Sequence, residues 1–133
     1  MKLHGWPERL FATIEAHRGI PFAYGVHDCC TFVARCLDAM HDSDRVGAIL
    51  AEYHDEPTAL ALIERHGGMH GVVSHFLGES RPPHHARRGD PMLVSTPRGV
   101  LVGICTGNSV SCAGDGVVDY PMTMAICAWC VNE

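Results

Sequence analysis

The pattern of hydrophobic and polar positions changes character at the loop Ser80–Arg88, and that change divides the molecule. Before it, apolar residues recur at helical spacing. Leu10, Phe11 and Ile14, with His17, share one side of a segment from about residue 6 to 18. Pro7 suits a first-turn position there, and Gly19 with Pro21 stops the helix. Phe32, Val33, Cys36, Leu37 and Met40 form one apolar face of a helix predicted from about Asp28 to Met40. The polar break His41-Asp42-Ser43-Asp44 caps a short helix through Leu50. Glu56-Pro57 opens another, with Leu60, Leu62 and Ile63 on its apolar side and Gly67-Gly68 at its end. Met69–Leu77, closed by Gly78, reads as one further short helix.

A proline-rich loop, Ser80–Arg88, then leads into runs with strand character separated by turn residues. Strands are predicted at Met92–Ser95, at Val100–Cys105 and at Ala125–Val131, the first two joined by the turn Pro97-Arg98-Gly99. Ser109–Ala113 and Gly116–Val118 pair as a hairpin around Gly114-Asp115. Helices followed by a meander of strands predict an α+β fold, N-terminal helices packed on a C-terminal antiparallel sheet, in a single domain over 1–133.

Composition narrows the partners. Apolar residues are 47% and charged residues 19%, enough apolar surface to build a core. The net charge of −5 argues against nucleic acid as a partner, and Arg81, Arg87 and Arg88 read as a solvated loop. The first ten residues carry no long apolar segment, so neither signal peptide nor membrane span is expected, and the chain is expected to be cytoplasmic at synthesis. Seven cysteines in a reducing compartment read as free thiols, and Cys36, Cys105 and Cys112 read as core filling. Cys127 and Cys130 have C-x-x-C spacing, but on a strand they point to opposite faces, so no metal site is assigned to them. Nothing in the sequence demands a cofactor.

The candidate chemistry lies in Pro21–Met40. Asp28 is an N-cap residue by type and position, which puts Cys29 in the first turn of the helix. The partial positive charge and free N–H groups of that turn favour a thiolate. Cys29 is therefore the candidate nucleophile, with Asp28 and His27 beside it as candidate catalytic groups and Phe22 and Tyr24 as candidate substrate-binding aromatics. A cysteine nucleophile also needs a base, usually an imidazole.

The stretch PFAYGVHDCCTFV resembles the signature of the NlpC-type cysteine peptidases and amidases, papain-like domains that cleave cell-wall peptides. Asp28 and Cys29 match that family's Asp-Cys, while Cys30 and Thr31 stand where it has Ser and Gly. Arg88–Val94 resembles the Gly-Asp segment that enters the family's first main strand. Val102–Asn108 resembles its His-Val-Gly-Ile-Tyr-x-Gly-Asn strand, and the pattern spans about 21–118. The likeness is greatest to small phage and prophage proteins. It implies a papain-like fold, a phage tail or other assembly partner, association with the virion, and peptidoglycan peptide as a ligand.

One departure bears on activity. Leu101 occupies the strand position of the family's general-base histidine, and no histidine follows His85. The resemblance then implies a tail-associated domain that is structural or peptide-binding with a degraded catalytic site. The alternative is an active cysteine peptidase or amidase in which Cys29 uses a relocated base, His27, His84 or His85.

Overall fold

The computed structural model describes residues 1–131 and has five helices followed by a five-stranded antiparallel sheet. The helices are α1 (Trp6–Ala16), α2 (Cys29–Met40), α3 (Arg45–Leu50), α4 (Glu56–Arg65) and α5 (Met69–Leu77). The strands are β1 (Pro91–Thr96), β2 (Gly99–Cys105), β3 (Ser109–Gly114), β4 (Gly116–Pro121) and β5 (Ala125–Ala128). Their order across the sheet is β4-β3-β2-β1-β5.

Helix starts follow the capping residues. Asp28 and Asp55 each accept the backbone N–H of a threonine three residues on, and that threonine's hydroxyl returns a bond to the cap's own N–H. Asp44 caps α3 through the N–H of Gly47. Helix α2 is the hub. Phe32, Val33, Cys36, Leu37 and Met40 are buried against Leu10 and Ile14 of α1 and against Leu93, Val102, Ile104 and Ala113 of the sheet. Its other flank carries Ala34, which packs with Ile49, Tyr53, Ala59, Leu62 and Val72 of the remaining helical segments. The far face of the sheet is a separate cluster, with Met92, Val94, Cys105, Val110, Cys112 and Tyr120.

Three boundaries differ from the sequence reading. The last strand stops at Ala128 rather than Val131: the Trp129 N–H reaches Pro91 O, where β1 begins, at 2.9 Å, and its buried indole N–H donates to the Gly78 carbonyl at 3.1 Å. The loop Ser80–Arg88 contains a 3₁₀ turn, Pro83–His85, preceded by a two-way backbone bridge between Arg81 and Ala128. Strand β4 runs on to Pro121 and leads into a second 3₁₀ turn, Met122–Met124.

The sheet is unevenly knit. β1 and β2 pair along their whole length, as do β3 and β4. Between β2 and β3 only Ile104↔Ser111 and Cys105↔Val110 are in register. At Gly103 a Cβ would lie 2.5 Å from both the Ser111 carbonyl and the Cys112 sulfur, so glycine permits β3 to cross close over β2 before leaving it. The released hairpin is held at its tip from the other side. Gly116 N–H donates to Ile20 O, and Asp115 accepts the Phe22 N–H at 3.1 Å.

Candidate functional site

The segment before α2 is a tight loop closed on itself. Ala23 and His27 exchange both backbone hydrogen bonds, at 3.0 and 2.8 Å. Gly25 lies in the left-handed region at φ 79°, and its Cα faces the His54 carbonyl so closely that a Cβ has no room.

This loop wraps the Asp28 carboxylate. One oxygen accepts the Gly25 N–H at 2.8 Å; the other accepts the Thr31 N–H at 2.9 Å and the Tyr53 hydroxyl at 2.6 Å. Asp28 and Tyr53 are both buried. Burial, reinforced by the neighbouring thiols and carboxylate, pushes the Tyr53 phenol well above its ordinary pKa, so it stays a donor. Both Asp28 oxygens are thus committed to holding the loop, the helix start and Tyr53 together. Asp28, a candidate catalytic group by sequence, is a structural anchor here.

Cys29 is the first helical residue and is half-buried. Its thiol is held below the ordinary cysteine value, chiefly because the Cys30 thiol donates to its sulfur, helped by backbone N–H groups of Val102 and of Cys29 itself. Burial and the negative charge of Asp28 oppose that shift. Cys30 moves the other way, well above its ordinary value, since its proton is held between sulfurs and its thiolate would be desolvated beside another thiolate. Its Sγ also lies 3.8 Å from the Met69 thioether. Of this vicinal pair, Cys29 ionises first.

The splayed sheet explains the Val102 donor. The Cys105 N–H points to the β1 side, bonding Asp90 O at 2.8 Å. Because N–H groups alternate along an antiparallel strand, those of Ile104 and Val102 point toward β3. The β2–β3 pairing has ended before Val102, so its N–H is left for the Cys29 sulfur.

No imidazole is among the groups that shift Cys29. His27, two residues away, is turned into the core. Its ring stacks on His17 at 5.4 Å and meets Phe32 edge-on at 5.9 Å. Its Nε2 lies 2.7 Å from the Gly116 carbonyl; a carbonyl only accepts, so Nε2 carries the proton. His27 therefore latches the β3–β4 tip to the loop before α2. His84 and His85 are exposed on their 3₁₀ turn and pack against each other, ring centroids 4.5 Å apart. Leu101 packs with the far-face cluster, whereas Cys29 packs with the helix-side one.

The aromatics divide. Tyr24 lines a small apolar cavity with Asp28, Cys29, Cys30, Tyr53 and Met69; Phe22 stands outside it, edge-on to Tyr24 at 5.0 Å. That cavity is small, about 30 Å³, and lies beside the thiol.

Cys127 is buried and Cys130 exposed beyond the end of β5. Among the described residues, one set of three side chains gathers its ligating atoms closely: Glu52, His66 and His75, all on the helical side of the molecule. The sequence reading assigned no metal site and did not single out these residues. They come from three separate segments, and no short motif joins them. Among the described residues, no helix is long and apolar enough to cross a membrane.

A family described as a domain of unknown function, DUF6950, matches residues 1–131, and the chain belongs to it. No curated protein matches the chain.

Proposed function

We propose that this member of the DUF6950 family is a papain-like domain of the NlpC type that works in a phage or prophage tail setting by binding or assembly, with its histidine-assisted hydrolysis lost. Its resemblance in the segments 21–33, 88–94 and 102–108, and a cysteine at the start of a helix packed on an antiparallel sheet, support the family part of this reading.

The observation that carries the functional part is the shell around the Cys29 sulfur. The groups that act on that thiol are the Cys30 thiol, backbone N–H groups and the Asp28 carboxylate, with no imidazole among them. Of these only the Asp28 carboxylate could serve as the general base that acyl transfer needs, and both its oxygens already accept hydrogen bonds, from Gly25, Thr31 and Tyr53. His27, the nearest imidazole in sequence, is spent on Gly116 and on ring packing. A partner segment of cell-wall peptide or tail protein would dock over the half-buried Tyr24 and Phe22 at the helix start.

The test is hydrolysis of peptidoglycan peptides and of simple amide and ester substrates by the purified chain and by Cys29→Ala. No Cys29-dependent turnover is expected, and any binding to the peptides survives the substitution. Robust hydrolysis by the unaltered chain that disappears in Cys29→Ala sinks the proposal. It would then favour a second reading, an active cysteine peptidase or amidase, for which the depressed Cys29 thiol and its N–H donors are the supporting observation.

A further inference from the structure

The helices α3, α4 and α5 bring together two imidazoles and a carboxylate. Glu52 lies just past the end of α3, His66 is the C-cap of α4, and His75 sits in the last turn of α5. The local fold makes the approach unavoidable. Gly67 and Gly68, at φ 76° and 126°, reverse the chain after His66. Gly71 then seats the first turn of α5 directly on the His66 carbonyl, where a Cβ would collide. His75 follows Gly71 by four residues, one helical turn along the same face.

Glu52, His66 and His75 each offer one ligand atom, and these three atoms lie within 4.8 Å of one another. His75 Nε2 is 2.9 Å from one Glu52 oxygen, and Arg65 Nη2 is 3.4 Å from the other. The two imidazole rings lie 4.4 Å apart, inclined by 30°. His66 Nε2 is shielded from solvent and has no hydrogen-bond partner among the described residues. A Glu52–His75 pair alone explains one imidazole and leaves that nitrogen unexplained; sheltered polar atoms with no partner are rare in folded proteins.

We propose that Glu52, His66 and His75 bind one divalent transition-metal ion of the zinc, cobalt or nickel class, clamping the ends of α3, α4 and α5. Two imidazoles and one carboxylate are the donor set such ions accept, with a fourth position left to water or an incoming ligand. Calcium and magnesium, which take oxygen ligands, do not suit it. Metal–ligand bonds of about 2.0–2.2 Å need the ligand atoms to stand closer together than the 4.8 Å that bounds them here. The exposed His75 has the rotamer freedom to move in. Arg65 holds the outer oxygen of Glu52, the kind of outer contact that orients a ligating carboxylate.

The test titrates Zn²⁺ and, separately, Co²⁺ into the chelator-stripped, reduced full chain. The seven cysteines are the competing ligands, so the double variant Cys29→Ser/Cys30→Ser is titrated alongside His66→Gln, His75→Gln and Glu52→Gln. One equivalent is expected in the wild type and in the cysteine variant, with a Co²⁺ spectrum lacking a thiolate charge-transfer band. Loss of either histidine should weaken binding by more than the roughly 10–100-fold typical of disturbing an outer-shell partner. A thiolate band, binding lost only in the cysteine variant, binding unchanged in His75→Gln, or no stoichiometric binding by the wild type each overturns the proposal. Circular dichroism and urea midpoints of the metal-free variants separate lost ligation from lost folding. Should His66→Gln fail to fold, the exposed His75→Gln decides.

Discussion

Asp28 offers the sharpest separation between a chemical and a structural role. Replacing it with alanine removes the α2 cap, at about 0.5–2 kcal/mol. It also strands the buried Tyr53 hydroxyl, which donates to Asp28 at 2.6 Å, at about 1–3 kcal/mol. The Gly25 N–H is only partly buried and regains water, so it adds little. The expected loss is about 2–5 kcal/mol, a large share of the roughly 5–15 kcal/mol that holds a domain of this size. Urea unfolding of wild type, Asp28→Ala, Tyr53→Phe and the double variant closes the cycle. Once the phenol is gone, removing Asp28 no longer strands it, so the double variant should lose about 1–3 kcal/mol less than the sum of the singles. A second readout is independent of stability. The Asp28 charge raises the Cys29 pKa, so Asp28→Asn should shift Cys29 alkylation to lower pH. Additivity within about 0.5 kcal/mol, with Asp28→Ala costing under about 1 kcal/mol, would refute the anchor assignment.

Cys30→Ala removes the largest influence lowering the Cys29 pKa, so the iodoacetamide rate–pH profile of Cys29 should move up, opposite to Asp28→Asn; mass-resolved labelling reads both. His27→Phe keeps the ring packing but loses the bond to Gly116 O. It should cost about 1–3 kcal/mol and leave the Cys29 profile in place, whereas a shifted profile would show that His27 acts on the thiol. Gly116→Ala meets φ 80° and the Arg18 carbonyl together. It should destabilise by more than the roughly 1–2 kcal/mol of left-handed backbone alone, seen as a lowered urea midpoint with unchanged m. Leu101→His places an imidazole in the far-face cluster, and no Cys29-dependent hydrolysis should appear; turnover gained by that variant would mean that the strand can present the ring to the thiol.

Local chemistry was readable along the chain. Pro7, Asp28, Glu56-Pro57 and the glycines after residue 66 are short-range signals, and the helices start and stop near them. The runs of strand character between turn residues gave the antiparallel sheet for the same reason. What escaped depends on contacts between distant segments. Nothing near Trp129 says that its indole will seek Gly78. The partner of His27 is a backbone carbonyl 89 positions away, which no side-chain pattern announces. Asp28 was legible as a cap, but its third donor is a tyrosine from the segment after α3. Cys29 was legible as a helix-start thiol; that its nearest proton donor is the adjacent Cys30 required the geometry of β2 and α5 around the pair.

The two-pair seam between β2 and β3 joins two ladders. β5, β1 and β2 form one and the β3–β4 hairpin the other, joined at Ile104–Cys105 and fastened at the hairpin tip by His27, Ile20 and Phe22. Such a hairpin is a natural unit of sub-global opening, released by breaking a few bonds at each end. Amide protons of β3 and β4 should then exchange with solvent as a group, earlier than those of β1 and β2. The same excursion would uncover the Val102 edge where the Cys29 sulfur rests. Access to that thiol would thus be timed by the opening rate of the hairpin and by the strength of its fastenings.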